Sequence, residues 1–433
     1  MGKNKKIQDY DWFYSFLRYY VDALLKLSYR RIKYVGRERV PGDGAVIYAP
    51  NHTGTLMDAL VILAMDKKPK VFVARADIFK NPTLAKIFRF LKIMPIMRMR
   101  DGFDEVKKNN RTIEQATDVL RDKVPFCIFP EGTHQTKYSL QSISKGIFRI
   151  ALQAKELMPE TPLYIVPVGI RYGSFWRFRA SARIQVGEPM NVGEIMEQNA
   201  DKTPQELMNV MRVRLDALMK DTLYYIPNDE NYNASYEICG AVANAQACGH
   251  KGLDKSFFAN KATMKKLGEI KENNPELAAK LFALGNEAAK MRKERGISMN
   301  SVAAKRPLIK RLPQLLLTLL FLPYVVLSAV CVSPMLLICN VVFKKFKDQA
   351  FRNSVRFMMN LVLWPLLMII YSVIAYVCMP WFEALPLTLA LLFAPYVVHD
   401  VYRTLRLAVS DIRLLLCRPL RKIYADIRNL MFK

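Results

Sequence analysis

The apolar pattern changes character four times along the chain. Between residues 9 and 29, Trp12, Phe13, Phe16, Leu17, Tyr20, Leu24 and Leu27 recur at helical spacing among Asp, Arg and Lys. That periodicity predicts an amphipathic helix rich in interfacial aromatics, with an ordinary core-packing helix as the competing reading. From 40 to 225, short apolar runs (45–49, 71–74, 93–97, 126–129 and 163–168) alternate with helix-period segments at 83–91, 105–121 and 143–157. Strands alternating with helices predict an α/β domain with a mainly parallel sheet. Residues 184–186 are expected to add an edge strand, and 204–220 a closing helix. Residues 226–305 are rich in Asn, Ala, Lys and Glu and carry no strong strand signal, which predicts a helical arm.

Residues 312–343 carry no charge, and 357–398 carry only Glu383. As helix these runs extend ~48 Å and ~63 Å, against a hydrocarbon core of ~30 Å. The second run is long enough for two crossings joined near Pro380, Trp381, Phe382 and Glu383. In the first, Pro323 and Pro334 are expected to make a re-entrant hairpin. Basic clusters at 305–311, 344–356 and 403–406 flank the runs. The positive-inside rule puts all three on the cytoplasmic side, which two hairpins satisfy. The tail from Arg403 alternates Arg with Leu and Ile and is expected to lie on an anionic surface. The resulting division is an amphipathic interfacial helix at 1–35, an α/β domain at 36–225, a helical arm or linker at 226–305 and a membrane region at 306–433.

Composition sharpens this outline. The 433 residues carry 65 Lys and Arg against 38 Asp and Glu, a net charge of +27. Such a balance suits nucleic acid, anionic lipid or phosphorylated substrates. The uncharged blocks of the last third favour the membrane, and a nucleic-acid partner is not expected. Seven scattered cysteines without a close CxxC pair argue against a zinc site and against a disulfide framework. No uncharged segment follows the basic first six residues, so no cleavable signal peptide is expected.

Three stretches carry candidate chemistry. His52 follows the apolar run 45–49 and Pro50, and Asp58 lies six residues on. In one continuous helix the two would sit about 120° apart, so they meet only if the loop bends first. Gly54 permits the bend, and Thr53 or Thr55 can cap the helix that carries Asp58. Asp58 would then accept the Nδ1 proton of His52, leaving Nε2 as a base. Phe129, Pro130, Glu131, Gly132 and Thr133 end another run, where an open α/β sheet presents ligand loops. There Glu131 can bond ligand hydroxyls or position a cation. Arg98 follows the run 93–97 and can fork onto a phosphate, and Lys145 offers a second cation.

Asn-His with a nearby Asp, an Arg after a strand, Phe-Pro-Glu-Gly-Thr and then Val166-Pro167-Val168-Gly169, in that order, resemble the four blocks of the glycerophospholipid acyltransferases. The resemblance is nearest to the 1-acyl-glycerol-3-phosphate and glycerol-3-phosphate acyltransferases, and it covers roughly residues 40–190. It implies the acyltransferase α/β fold, His52 as catalytic base and Asp58 as its orienting partner. It also implies that Arg98 and Glu131, Gly132 and Thr133 bind the glycerol phosphate, and that Pro167 shapes the acyl-donor side. The spacing departs from the usual H-x4-D: Met57 holds the expected carboxylate position and Asp58 follows it. His134 also stands where many members have Arg.

The implied activity is acyl transfer from acyl-CoA or acyl carrier protein to lysophosphatidate at the cytoplasmic membrane face, with no metal and no cofactor beyond that co-substrate. Glycerol-3-phosphate and other lysolipids are alternative acceptors. A non-enzymatic lipid-binding scaffold is the rival of a different class.

Overall fold

The computed structural model describes residues 6–97, 109–245, 249–304 and 307–432. The chain divides into two compact units, residues 1–223 with 350–354, and residues 224–349 with 355–433.

The first unit is the α/β domain. Its elements run α1 (Trp12–Ser28), β1 (Arg31–Val35), β2 (Ala45–Pro50), α2 (Leu56–Leu63), β3 (Val71–Arg75), α3 (Pro82–Phe90) and β4 (Ile93–Ile96). They continue through α4 (Asn109–Arg121), β5 (Phe126–Cys127), α5 (Gly146–Leu157), β6 (Leu163–Tyr172), β7 (Ser181–Val186), β8 (Met190–Asn191), α6 (Val192–Gln198) and α7 (Pro204–Thr222). Eight strands among the described residues form one sheet in the order β1-β7-β6-β2-β5-β3-β4, with β8 also pairing β6. Strands β6, β2, β5, β3 and β4 are mutually parallel, as the alternation of strands and helices predicts. All six residues of β2 are buried, so this strand reads as a continuous apolar run with both faces covered.

Two expectations need correction here. Residues 184–186 belong to β7, which is no edge strand: it lies between β6, antiparallel, and β1, parallel. The division at 35/36 also fails, because β1 is a strand of the same sheet. Its alternation of exposed Arg31 and Lys33 with half-buried neighbours hid it among polar residues.

Helix α1 forms as its periodicity requires, with Asp11 capping its N-terminus through the Tyr14 N–H. Tyr14, Leu24 and Leu25 are buried, and the Arg18 guanidinium donates to the carbonyls of Leu63, at the end of α2, and of Asp66 and Lys67 just after it. Trp12, Phe16 and Tyr19 remain exposed, so one face packs while the other presents aromatics.

The second unit is helical. Helices α8 (Tyr232–Val242), α9 (Gly252–Asn273) and α10 (Pro275–Glu294) pack through Ile238, Val242, Leu267 and Leu281. The last helix, α16 (Arg418–Phe432), joins this same core with Leu420, Ile423, Ile427 and Met431. The last helix of the basic tail therefore buries its apolar stripe in a bundle with α8, α9 and α10, and 305/306 is not a packing boundary. Glu237 is buried in this bundle and accepts from Arg292 Nε at 2.8 and 2.9 Å and from the Tyr424 hydroxyl.

Between α10 and α16 run α11 (Pro307–Leu320), α12 (Leu322–Lys345), α13 (Phe351–Cys378, with a π turn at Met359–Leu363), α14 (Trp381–Leu391) and α15 (Ala394–Leu416). Among the described residues, α12 and α13 are each long and apolar enough to cross a membrane. The pair α14 and α15, bent by 51°, passes the same test together. The break expected near Pro380 separates α13 from α14. In the first run the break falls at Phe321, next to Pro323 in the first turn of α12, whereas Pro334 stays inside that helix. The run thus supplies one helix of 24 residues after a shorter one, not two matched arms of a hairpin.

Candidate active site

Strands β2 and β5 are neighbours and parallel, so the loops leaving their C-terminal ends emerge side by side. One loop carries His52 and the other Glu131. The Asn51 side chain fastens the end of β2 to β6: its Nδ2 donates to the Ile170 carbonyl at 3.1 Å, and its Oδ1 accepts from the Ile170 N–H at 2.6 Å.

The loop then bends as the His-Asp spacing requires. His52 Nδ1 lies 2.8 Å from Asp58 Oδ2, and the same oxygen accepts the backbone N–H groups of Thr53 at 2.8 Å and Gly54 at 2.7 Å. A carboxylate oxygen shared by two N–H donors acts as acceptor, which assigns the imidazole proton to Nδ1 and leaves Nε2 basic. The Asp58 side chain is fully buried, whereas that of His52 is 20% exposed. The His52 ring stacks on Phe129 at 4.3 Å and meets His134 edge-on at 5.6 Å.

The extra residue between His52 and Asp58 is absorbed by Thr55, which adopts φ +54°. Such a conformation is uncommon for a β-branched residue and costs about 1–3 kcal/mol. Met57, at the usual carboxylate position, is fully buried in the core, while Asp58 turns back to His52. Thr55 precedes α2 as expected, but its side chain makes no cap bond; its hydroxyl lies 2.7 Å from that of Ser354. Gly54 is needed for close approach, because a Cβ there would sit 2.7 Å from the Tyr172 ring and 2.8 Å from Asp58 Oδ1.

Both carboxylate oxygens of Glu131 are engaged by backbone: Oε1 accepts the His52 N–H at 2.8 Å and Oε2 accepts the Gln141 N–H at 3.0 Å. Burial raises this carboxyl to about 7, opposed by those two backbone bonds. It is a strap across the two loops. The Gln135 N–H closes the strap from the other side by donating to the His52 carbonyl at 3.1 Å. Thr133 exchanges hydrogen bonds with Gln141, its hydroxyl donating to Oε1 at 3.1 Å and its carbonyl accepting from Nε2 at 2.9 Å. Gly132 adopts φ +64° with open space where a side chain would project.

Arg98 lies outside the described residues. Lys145 is exposed and donates to Gln205 Oε1 at 3.0 Å, so its ammonium is engaged with α7 and not with the His52 loop. Pro167 is buried within β6, opposite Ala49, and its carbonyl accepts the Gly187 N–H. It falls between the stretches of β6 paired to β8 and to β7, where a strand tolerates a missing donor. Sequence reading gave no role to Gln141, Tyr172 or Ser354: Gln141 folds back onto Glu131 within one irregular loop, and Tyr172 and Ser354 arrive by long-range contacts that no local spacing announces.

The acyltransferase family model matches residues 31–171, which span β1 to β6 and both site loops. A probable 1-acyl-sn-glycerol-3-phosphate acyltransferase of Mycoplasma pneumoniae is 25% identical over 169 residues, 38% of this chain and 58% of that protein. The glycerol-3-phosphate O-acyltransferase 2 of Saccharomyces cerevisiae is 29% identical over 123 residues, 27% of this chain and 17% of that protein. The family match and these relatives together support an acyltransferase domain of the glycerophospholipid type at residues 31–171. This chain spans less than two thirds of either curated relative. The crystal structure of the 1-acyl-sn-glycerophosphate acyltransferase PlsC from Thermotoga maritima matches with a TM-score of 0.35 at 20% identity, over 48% of this chain and 80% of that one. Within the acyltransferase domain, the histidine and carboxylate of the first block are hydrogen-bonded and the glutamate of the third is buried behind them.

Proposed function

We propose that the protein is a membrane-bound O-acyltransferase that moves a fatty acyl group from an acyl thioester to 1-acyl-sn-glycerol-3-phosphate, giving phosphatidate. His52 Nε2 takes the proton from the acceptor hydroxyl as that oxygen attacks the thioester carbonyl carbon. The tetrahedral adduct collapses with cleavage of the carbon–sulfur bond, and the imidazolium returns its proton to the departing thiolate. Asp58 holds the ring in the tautomer that exposes Nε2 and steadies the positive charge that forms on it. No acyl-enzyme is required, since both substrates meet at one base. The observation that carries this reading is the 2.8 Å contact between His52 Nδ1 and Asp58 inside an acyltransferase-family domain.

In this reading the open space beside Gly132 receives the acceptor phosphate, through backbone and Thr133 in place of the Glu131 carboxylate, with Arg98 as its cation. Lys145 would contribute only after leaving Gln205, and Pro167 shapes the donor side. The donor is acyl-CoA or acyl carrier protein. The apolar helices would anchor the chain among membrane lipids, and the positive-inside rule applied to their basic flanks supports a site facing the cytoplasm.

Glycerol-3-phosphate acylated at its sn-1 hydroxyl is the second reading, favoured by the similarity to the yeast glycerol-3-phosphate enzyme. Detergent-purified protein supplied with acyl-CoA and either acceptor separately distinguishes them. Phosphatidate formed from lysophosphatidate, with no product from glycerol-3-phosphate, is the expected result; the reverse pattern would replace the first reading with the second.

A further inference from the structure

The five residues Ala350 to Ser354 pack with the first unit although the chain on both sides packs with the second. They are not a surface loop: Ala350 is fully buried, and Asn353 and Ser354 are 2% and 5% exposed. Ser354 and Phe351 meet the loops that carry His52 and Glu131. Ser354 Oγ lies 2.7 Å from Thr55 Oγ1 in a buried pair. The Phe351 ring meets His134 edge-on at 5.4 Å, and His134 in turn meets the His52 ring at 5.6 Å. Asn353 lies beside the Tyr29 hydroxyl. Tyr29 stacks on Tyr172 at 5.8 Å, and the Tyr172 hydroxyl faces Asp58.

Thr55 is the residue that most needs such support. It stands in a strained left-handed conformation at the point where the six-residue step from His52 to Asp58 turns, and it makes no side-chain cap to α2. A buried hydroxyl without a partner is costly, so the Ser354 contact favours the Thr55 conformation that aims Asp58 at His52. The edge-on Phe351 similarly limits where the His134 ring, and therefore the His52 ring, can move.

We propose that Ala350–Ser354 is a positioning element of the active site: Ser354 holds the Thr55 turn that the longer His-Asp spacing requires, and Phe351 backs the His134–His52 ring pair. None of these residues touches a reacting atom. The proposal rests on the acyl-transfer reading of His52 and Asp58, and it assigns the first turn of the membrane-length helix α13 a part in turnover.

The test is a double-mutant cycle on the detergent-purified full chain with acyl-CoA and lysophosphatidate or glycerol-3-phosphate. Thr55→Ala and Ser354→Ala are each expected to lower kcat about tenfold, the size set by one buried hydrogen bond. The double variant is expected to be no slower than either single one, because both remove the same contact. Thr55→Ser keeps the hydroxyl without adding atoms and is expected to rescue most of the Thr55→Ala loss, a contrast that remains readable even if Ser354→Ala folds poorly. Phe351→Leu is expected to lower kcat with the thermal midpoint retained. Wild-type turnover in Ser354→Ala, multiplication of the two losses to about a hundredfold, or no rescue by Thr55→Ser would overturn the positioning role alone. Wild-type protein without turnover on either acceptor would overturn the acyl-transfer reading beneath it.

Discussion

The His52 and Glu131 loops of the first unit and the helical bundle of the second are built by opposite means. Around His52, geometry is fixed by directional polar contacts: one Asp58 oxygen gathers the ring and two backbone N–H groups, and Glu131 ties His52 to Gln141. In the bundle of α8, α9, α10 and α16, position is fixed by apolar volume, with Leu281, Leu420 and Ile427 fully buried. The first design fixes hydrogen-bond directions and the tautomer of His52. The second holds elements together and leaves chemistry to other residues. Substitutions in the two regions should therefore separate activity from stability.

Asp58→Asn is expected to have the largest effect. The amide keeps the shape of the carboxylate but brings an NH2 group or a weaker acceptor to the N–H donors of His52, Thr53 and Gly54. A loss of about 10²–10⁴ in kcat follows from a misdirected general base, with steady-state turnover as the measurement and a near-native thermal midpoint as the control. A comparable loss of thermal midpoint would erase the contrast between the two regions.

Leu281→Ala should do the converse. Truncating a fully buried leucine costs about 2–5 kcal/mol, so the thermal midpoint drops while kcat per folded molecule is retained. Chemical denaturation of the purified variant reads the first quantity and active-fraction-corrected turnover the second.

Glu131→Gln sharpens the comparison through pH. The wild-type carboxyl is raised from 4.5 to about 7 in the folded protein, so between those values the folded state keeps a proton that the unfolded chain has released. Stability from this group is therefore fullest below about pH 4.5 and declines as pH rises through 7, by an amount of order 3 kcal/mol. Glutamine cannot titrate, and the decline should flatten between pH 5 and 8 in thermal melts. The amide also sets an N–H donor against one of two N–H donors, which lowers activity at every pH.

The same contrast explains what could be read from sequence. Strands β2, β3 and β6 were legible because buried strands must be apolar runs, and the break near Pro380 because proline follows from local chemistry. The His52–Asp58 approach was legible because Gly54 made the necessary bend possible. Strand β1 escaped because exposed Arg31 and Lys33 interrupt its pattern, and its partner β7 is 150 residues away in register at Arg31 and Ser181. The strap made by Glu131 escaped because a carboxylate in a Pro-Glu-Gly turn looks solvated until the neighbouring strand is known. The Thr55–Ser354 contact, 299 residues apart, leaves no periodic trace at all.

The most direct measurement compares purified wild-type protein with His52→Ala for acyl-CoA-dependent acylation of lysophosphatidate. Loss of about 10²–10⁴ in kcat, with acceptor binding retained, is expected if His52 Nε2 is the base. Turnover at the wild-type rate by His52→Ala would contradict that role.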